Sequence, residues 1–287
     1  MDYFTEIRRM HHEFPLENAR AFYMSPIIFD RNAHDVPLFV RCADLLWGFA
    51  GLAGMYPGAP IAIPTSVYSI PMVLADNVGG WDSDATAIGE DMHMLLKSYF
   101  GMNGDIVTRP IYAPASQCNI SASGDGYHRY LRTLLARYRQ ALRHMWGALD
   151  SGYALRSTAQ KGMRMKPRHV ILMHLMWEAH FLPTHLTMLL IFSALYPAFV
   201  PAHMIHPDFA WTLNFTGWLR TACFIGFNIS LGFYDRWHSV CVNARARDMA
   251  RAGISDGFSY RTWRWYFVLD RLLFRASPIP NTTLFLH

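Results

Sequence analysis

Two acidic residues, Glu90 and Asp91, stand side by side in the segment Gly89-Glu90-Asp91-Met92-His93-Met94. Residues 91–100 read as a helix, so the pair would lie at a helix start behind a flexible glycine. A carboxylate fixed there by a rigid backbone could point into a cleft and take a proton from a hydroxyl group as a general base. The alternative is structural, because acidic residues at helix N-termini often satisfy free N–H groups and complement the helix dipole.

A second group of residues lies about fifty positions further on. Gln140 and Arg143 are three residues apart within the amphipathic pattern of residues 127–149, so they share one side of a predicted helix. An arginine there could neutralise a diphosphate, and a glutamine could bond a hydroxyl group. Trp146 follows, rotated further round the helix. On a segment this rich in arginine, the alternative is a solvated or headgroup-facing surface.

The elements that would position these residues are of mixed type. Residues 61–72 and 106–112 carry the β-branched and turn-forming residues of short strands, whereas residues 91–100 and 127–149 read as helices. The pattern therefore predicts an α/β fold for the first 160 residues. The net charge of +5 comes without a recognisable nucleic-acid module, and the four cysteines lack Cys-x-x-Cys spacing. Neither nucleic-acid binding nor a zinc site is supported.

The composition changes after residue 160. Two apolar runs, at about 181–200 and 209–234, are long enough to cross a bilayer, and the connector 201–208 has neither Lys nor Arg. Basic residues precede the first run and follow the second, which predicts a multi-pass membrane protein with both flanks in the cytosol. Arg220 interrupts the second run and should face protein, water or a headgroup. It also favours the alternative, a buried helical hairpin.

The order of these motifs resembles a membrane-anchored family 2 glycosyltransferase of fungal type. The resemblance rests on Gly79-Gly80-Trp81-Asp82, the acidic pair Glu90-Asp91, and Gln140 with Arg143 in a Gln-x-x-Arg-Trp pattern. His144 takes the tryptophan position of that pattern. The resemblance implies that residues 1–160 form the C-terminal half of a glycosyltransferase-A (Rossmann-like) domain. Residues 161–287 would form a membrane region with two transmembrane helices and a cytosolic, partly apolar tail.

The resemblance also implies a reaction. Such enzymes transfer a sugar, with inversion, from a nucleotide sugar to a glycan or lipid acceptor at the cytosolic membrane face, helped by Mg²⁺ or Mn²⁺. By resemblance Asp91 is the catalytic base and Glu90 tunes or orients the site. The substrate-binding residues that it implies are Gln140, Arg143, Trp146, Gly80, Trp81 and Asp82.

The same comparison leads us to expect an incomplete enzyme. The nucleotide-binding half, with its Asp-x-Asp motif, should be missing at the N-terminus, so this chain alone would be inactive and would hold no metal. The apolar segment 263–274 would begin further membrane sequence. Two alternatives stay open: a non-catalytic scaffold or pseudoenzyme, and a membrane metalloenzyme whose ligands would be His169, His174, Glu178, His180 and His185. The spacing of these histidines does not repeat one helical face.

Overall fold

The computed structural model describes residues 3–32, 36–83, 89–164 and 166–254. The predicted tail, including the apolar segment 263–274, lies outside the described residues. The elements are, in chain order, α1 (Tyr3–Glu13), β1 (Ala21–Met24), β2 (Ile27–Ile28), α2 (Leu38–Ala53), β3 (Tyr68–Ser69), α3 (Met72–Asn77), α4 (Glu90–Gly101), β4 (Val107–Pro110), β5 (Ala115–Ser116), α5 (Gly126–Met145), α6 (Leu149–Lys161), α7 (Pro167–His180), α8 (Leu182–Phe199) and α9 (Pro207–Arg251).

Two small sheets organise the first part of the chain. In the larger sheet, β1 lies between β3, which it pairs antiparallel, and β4, which it pairs parallel. In the smaller sheet, β2 and β5 pair in parallel. Every residue of β1 is buried, as expected for a central strand covered on both faces. The α/β character predicted from the sequence is confirmed, although helices form most of the structure.

Helix α4 lies at the centre of the main hydrophobic core. Its residues Met94, Leu95, Leu96, Tyr99 and Phe100 are buried, in a cluster that also takes in side chains of β1, α6 and α7. Burial of large apolar side chains contributes roughly 1.5–3 kcal/mol each, so the helix is held firmly from Met94 to Phe100. The residues at its N-terminus are therefore carried by a rigid element. Prediction of a helix over residues 91–100 is confirmed.

The helix predicted over residues 127–149 is divided in two. Helix α5 ends at Met145, a single 3₁₀ turn covers Trp146–Ala148, and α6 begins at Leu149. Asp125 occupies the N-cap position of α5 with an extended backbone, but its side chain makes no capping hydrogen bond. The apolar spacing continues across the break, because α6 follows directly from the turn.

The two apolar runs form α8 and the first part of α9, which pack against each other. Arg220 of α9 donates a hydrogen bond from Nη1 to Ser193 Oγ of α8, at 2.7 Å, so it faces protein as expected. Within the described ranges, no helix taken singly has both the length and the apolar composition to cross a bilayer. The pair 167–180 and 184–199, bent by 45°, meets that test only when its two helices are taken together.

Candidate active site

Glu90 and Asp91, at the start of α4, have different surroundings. Asp91 Oδ2 accepts a hydrogen bond from the backbone N–H of Ser66, at 2.9 Å, and Oδ1 accepts one from the N–H of Met92, at 2.8 Å. The carboxylate is therefore fixed against the loop that leads into β3. Glu90 is exposed beside it. Since each carboxylate oxygen has two lone-pair directions, Asp91 can still accept a proton from a bound hydroxyl group.

The glycine turn before α4 is bound to that helix by a lysine. Gly79 and Gly80 have φ angles of +83° and +87°, a conformation that only glycine adopts readily. Lys97 Nζ of α4 donates a hydrogen bond to the carbonyl oxygen of Gly80, at 2.9 Å. The next residue, Trp81, is 47 % exposed. The turn thus presents an accessible indole beside α4.

The turn also supplies Asp82 to a buried group of three polar side chains. Nδ1 of His93 on α4 lies 2.8 Å from Oδ1 of Asp150 on α6, and its Nε2 lies 3.9 Å from Oδ2 of Asp82. Both aspartate side chains are only 8 % exposed. The hydrogen bond to Asp150 raises the pKa of His93, the charge of Asp82 adds to that effect, and burial and Lys97 oppose it. The imidazolium form is therefore favoured between two carboxylates.

Within the described ranges, one oxygen of each of these two aspartates has no hydrogen bond. Oδ2 of Asp82 and Oδ2 of Asp150 accept none from the part of the chain that the structure describes. Buried carboxylate oxygens usually have partners, so these two atoms could accept hydrogen bonds from a polar ligand.

Gly89 allows α4 to approach Asp150 closely. A Cβ atom at this position would lie 2.9 Å from Asp150 Oδ2. We expect Gly89→Ala to lower the free energy of unfolding by roughly 1–2 kcal/mol, because the carboxylate held by His93 would have to move. Thermal or urea unfolding measures the change. Gly152→Ala in α6 is the matched control, since no atom of the described residues lies within 4 Å of a Cβ there. The control should be neutral or stabilising, and an equal loss in both variants would contradict the expectation.

Tyr68 of β3 lies within electrostatic range of both acidic segments, Asp82 and the pair Glu90-Asp91. Burial, followed by the nearby charges of Glu90, Asp91 and Asp82 in that order, raises the pKa of Tyr68 to about 12. The ring of Tyr68 stacks on Phe22, with centroids 5.0 Å apart. Because its pKa is raised, the hydroxyl group of Tyr68 stays protonated and can donate a hydrogen bond. We call Tyr68, Asp82, Glu90 and Asp91 the acidic cluster.

The acidic cluster combines a fixed carboxylate with a hydrogen-bond donor, an arrangement suited to activating a hydroxyl nucleophile. Over residues 1–218 the chain matches the sequence model of Glycosyl transferase family group 2. The chain belongs to this family. No curated protein and no solved structure matches it.

In this family 2 glycosyltransferase, the Gln-x-x-Arg segment on α5 is divided between two environments. Gln140 Oε1 accepts a hydrogen bond from Arg137 Nη1, at 2.6 Å, and is half-buried. Arg143 is exposed, and Trp146 is 59 % exposed. Among the described contacts, no hydrogen bond or ion pair joins Arg143 or Trp146 to the acidic cluster. Their predicted roles therefore remain predictions.

His144, which occupies the tryptophan position of the pattern, faces inward. Its ring meets Trp47 of α2 edge-on, with centroids 5.3 Å apart. Burial lowers the pKa of His144, as do the charges of Arg143 and Arg137, whereas the charge of Asp91 raises it. A neutral imidazole therefore lies within electrostatic range of the predicted base.

A divalent cation does not fit the described residues. No group of three or more His, Cys, Asp or Glu side chains within the described ranges is arranged to hold a metal ion. Three histidines of the alternative metalloenzyme have contacts outside its ligand set: His169 with Thr158, His180 with Ser151, and His185 with the carbonyl oxygen of Phe181. His174 pairs with Glu178, which belongs to that set. We assign no metal ligands and derive no reaction step through a metal.

Sequence reasoning noted that the segment Tyr68-Ser69-Ile70-Pro71 resembles one that lines the acceptor side, without a role for Tyr68, and it missed His93 and Asp150. One available signal was overlooked: Asp82-Ser83-Asp84 has the Asp-x-Asp spacing, although it follows the glycine turn rather than preceding it. Asp84 lies outside the described residues. His93 was adjacent to the acidic pair in the sequence, but its partner Asp150 is 57 residues away. Such a contact has no local signature.

Proposed function

We propose that the chain transfers a sugar from a nucleotide sugar to a hydroxyl group of a glycan or lipid acceptor. This replaces the expectation of an inactive chain, because the segment Asp82-Ser83-Asp84 has the Asp-x-Asp spacing that was expected to be missing. The observation that carries the proposal is the fixed carboxylate of Asp91 at the start of α4, with Tyr68 in electrostatic range of Asp91, Glu90 and Asp82, in a chain of a glycosyltransferase family. General-base transfer requires a carboxylate whose position is fixed and whose lone pairs are accessible. Asp91 meets the first requirement through its two backbone hydrogen bonds.

The proposed chemical step is a single displacement with inversion. Asp91 takes the proton of the acceptor hydroxyl as its oxygen forms a bond to the anomeric carbon. The bond from that carbon to the nucleotide breaks at the same time, and the electron pair leaves with the nucleoside diphosphate. Glu90 and the hydroxyl group of Tyr68 orient the acceptor, and Gly80, Trp81 and Asp82 line the same site. Gln140, Arg143 and Trp146 are proposed to bind the acceptor and the diphosphate, where a guanidinium offsets the negative charge.

We also propose that transfer takes place at the cytosolic face of a membrane. The exposed surfaces of α8 and α9 are rich in large apolar side chains, including Met188, Trp211, Trp218 and Phe224, which are 68–76 % exposed. Patches of this kind mark sites of lipid or protein contact. Carbonate extraction of the expressed full chain tests the placement. Retention in the membrane pellet supports it, and release into the supernatant contradicts it.

The decisive experiment measures nucleoside diphosphate release by the full chain with a panel of nucleotide sugars and of glycan and lipid acceptors. Donor-dependent release that increases with one acceptor class is expected. Calorimetry with the same donors accompanies the assay. Absence of both turnover and donor binding would contradict the proposal, and would favour the non-catalytic scaffold.

A further inference from the structure

Helix α5 turns a polar side toward α2. Four polar residues recur along it at intervals of four, three and four positions, which keeps them on one side of the helix: Thr133, Arg137, Gln140 and His144. Thr133 is 2 % exposed, and the ring of His144 meets Trp47 of α2. Surface helices ordinarily turn an apolar side toward the core. In α5 the inward side is polar instead, and it includes the predicted substrate-binding residue Gln140.

One nitrogen atom of Arg137 connects Gln140 to a buried carboxylate. Arg137 Nη1 lies 2.9 Å from Oδ1 of Asp44, on α2, and donates a hydrogen bond to Gln140 Oε1 at 2.6 Å. The side chains of Asp44 and Arg137 are only 2 % and 11 % exposed. Since Nη1 carries two hydrogen atoms, it can face both oxygens at once. The amide of Gln140 is therefore held to α2 through the guanidinium group.

This contact decides which end of the Gln140 amide is left for a ligand. A guanidinium group has donors and no acceptor, so the atom that faces Arg137 must be the carbonyl oxygen Oε1. The NH2 group lies on the other side of the amide. Within the described residues it donates no hydrogen bond, and Gln140 is half-buried rather than solvated on all sides. Gln140 therefore offers a ligand a hydrogen-bond donor and not an acceptor.

Among the groups of a nucleotide sugar and its acceptor, a diphosphate fits such a donor best. Its ionised oxygens only accept hydrogen bonds, whereas a sugar hydroxyl would leave its own hydrogen to be paired elsewhere. Arg143, exposed and one turn beyond Gln140, adds positive charge on the adjoining surface. His144, also one turn beyond, is within electrostatic range of Asp91, so this part of α5 lies beside the proposed base.

We propose that Asp44 and Arg137 are positioning residues for the donor substrate, because they hold the NH2 group of Gln140 toward its diphosphate. This inference rests on the proposed sugar transfer and deepens it. Apolar side chains of similar volume often stabilise a fold as well as a buried ion pair does, so stability alone does not account for the pair. Burial raises the pKa of Asp44 to about 7, and the charge of Arg137 opposes that rise. The pair is therefore fully ionised only above neutral pH.

The test measures binding of uridine, guanosine and thymidine diphosphates to the full chain by calorimetry at pH 8, where Asp44 is ionised. Gln140→Met removes the donor and should weaken binding of the nucleotide that the parent prefers about 10- to 100-fold, the range for a hydrogen bond to a charged group. Asp44→Leu with Arg137→Met replaces the ion pair by apolar side chains. This paired variant should weaken binding about two- to tenfold, because the nucleotide must then immobilise a side chain that is free to rotate.

Combining the changes separates positioning from folding. In the Gln140→Met protein, replacing the ion pair should change nucleotide binding less than about twofold, because the pair then has no amide to hold. Asp44→Asn, which keeps the volume of the side chain, should show the same pattern with a smaller loss if the paired variant does not fold. Arg132→Met is the matched control, since it removes an exposed arginine of α5 about two turns from Gln140 and should leave binding unchanged. Urea unfolding establishes that each variant is folded.

Three results would overturn the proposal while leaving sugar transfer intact. The first is an equal loss of binding on replacing the pair in the parent and in Gln140→Met, which would make the role of the pair structural. The second is unchanged nucleotide affinity in Gln140→Met. The third is a loss seen only in the KM for the acceptor, which would assign the amide to the acceptor. A parent protein that binds none of the three nucleotides would instead contradict the proposed function, and this inference with it.

Discussion

Asp91→Asn should reduce the turnover rate of sugar transfer by about 100- to 10,000-fold, the range in which a positioned general base contributes. The amide is nearly isosteric with the carboxylate, and its oxygen can still accept one of the two backbone hydrogen bonds, from Ser66 or Met92. It cannot take the acceptor proton. The measurement is the turnover number and KM for the donor and acceptor that the panel identifies, with donor affinity measured separately.

Two control variants make this result specific. Asp76→Asn changes an exposed aspartate of α3 and should leave turnover unchanged. Glu90→Gln should lower turnover less than Asp91→Asn, because Glu90 is proposed to orient rather than to accept the proton. Full activity of Asp91→Asn, with its folding confirmed by circular dichroism, would exclude Asp91 as the base. If Glu90→Gln then abolished transfer, the role would pass to Glu90.

Local patterns in the sequence were sufficient to predict the elements around the acidic pair. The helix over residues 91–100 forms almost as predicted, because buried residues recur along α4 and glycine precedes it. The strand in residues 106–112 forms as β4. The end of α5 was placed four residues too late, since Leu149 continues the apolar spacing but belongs to the next helix. Periodicity records which residues are apolar, and it does not record a single 3₁₀ turn between two helices.

The candidate site was only partly predictable, because its remaining members come together through tertiary contacts. His93 and Asp150 meet across α4 and α6, and Tyr68 joins the acidic residues from β3. The orientation of α5 could not be predicted from the sequence either. Its amphipathic pattern was evident, but the side that faces the protein depends on the partner, and α2 offers Asp44 to Arg137. Long-range polar contacts of this kind determined both the site and the orientation of α5.

The His93–Asp150 contact should make stability depend on pH in a defined direction. Because the pKa of His93 is raised in the folded protein above its ordinary value of 6.5, its contribution is complete below 6.5 and is lost as pH rises through the folded pKa. Asp150→Asn weakens the hydrogen bond that contributes most to this shift and also removes the charge of Asp150. At pH 6 the variant should lose roughly 1.5–3 kcal/mol of unfolding free energy, the range for a hydrogen bond to a charged group. Above the folded pKa the two proteins should converge.

Urea unfolding from pH 5.5 to 9 measures this convergence, and a double-mutant cycle with His93→Gln isolates the pair. The cycle is needed because the charge of Asp150 also acts on His180, while Asp82 and Lys97 also act on His93. Coupling that is large at pH 6 and small at pH 9 is expected. A stability difference between parent and Asp150→Asn that stays constant with pH would contradict the charge interaction. It would instead assign the effect of the substitution to packing of α6 against α4, since packing does not titrate.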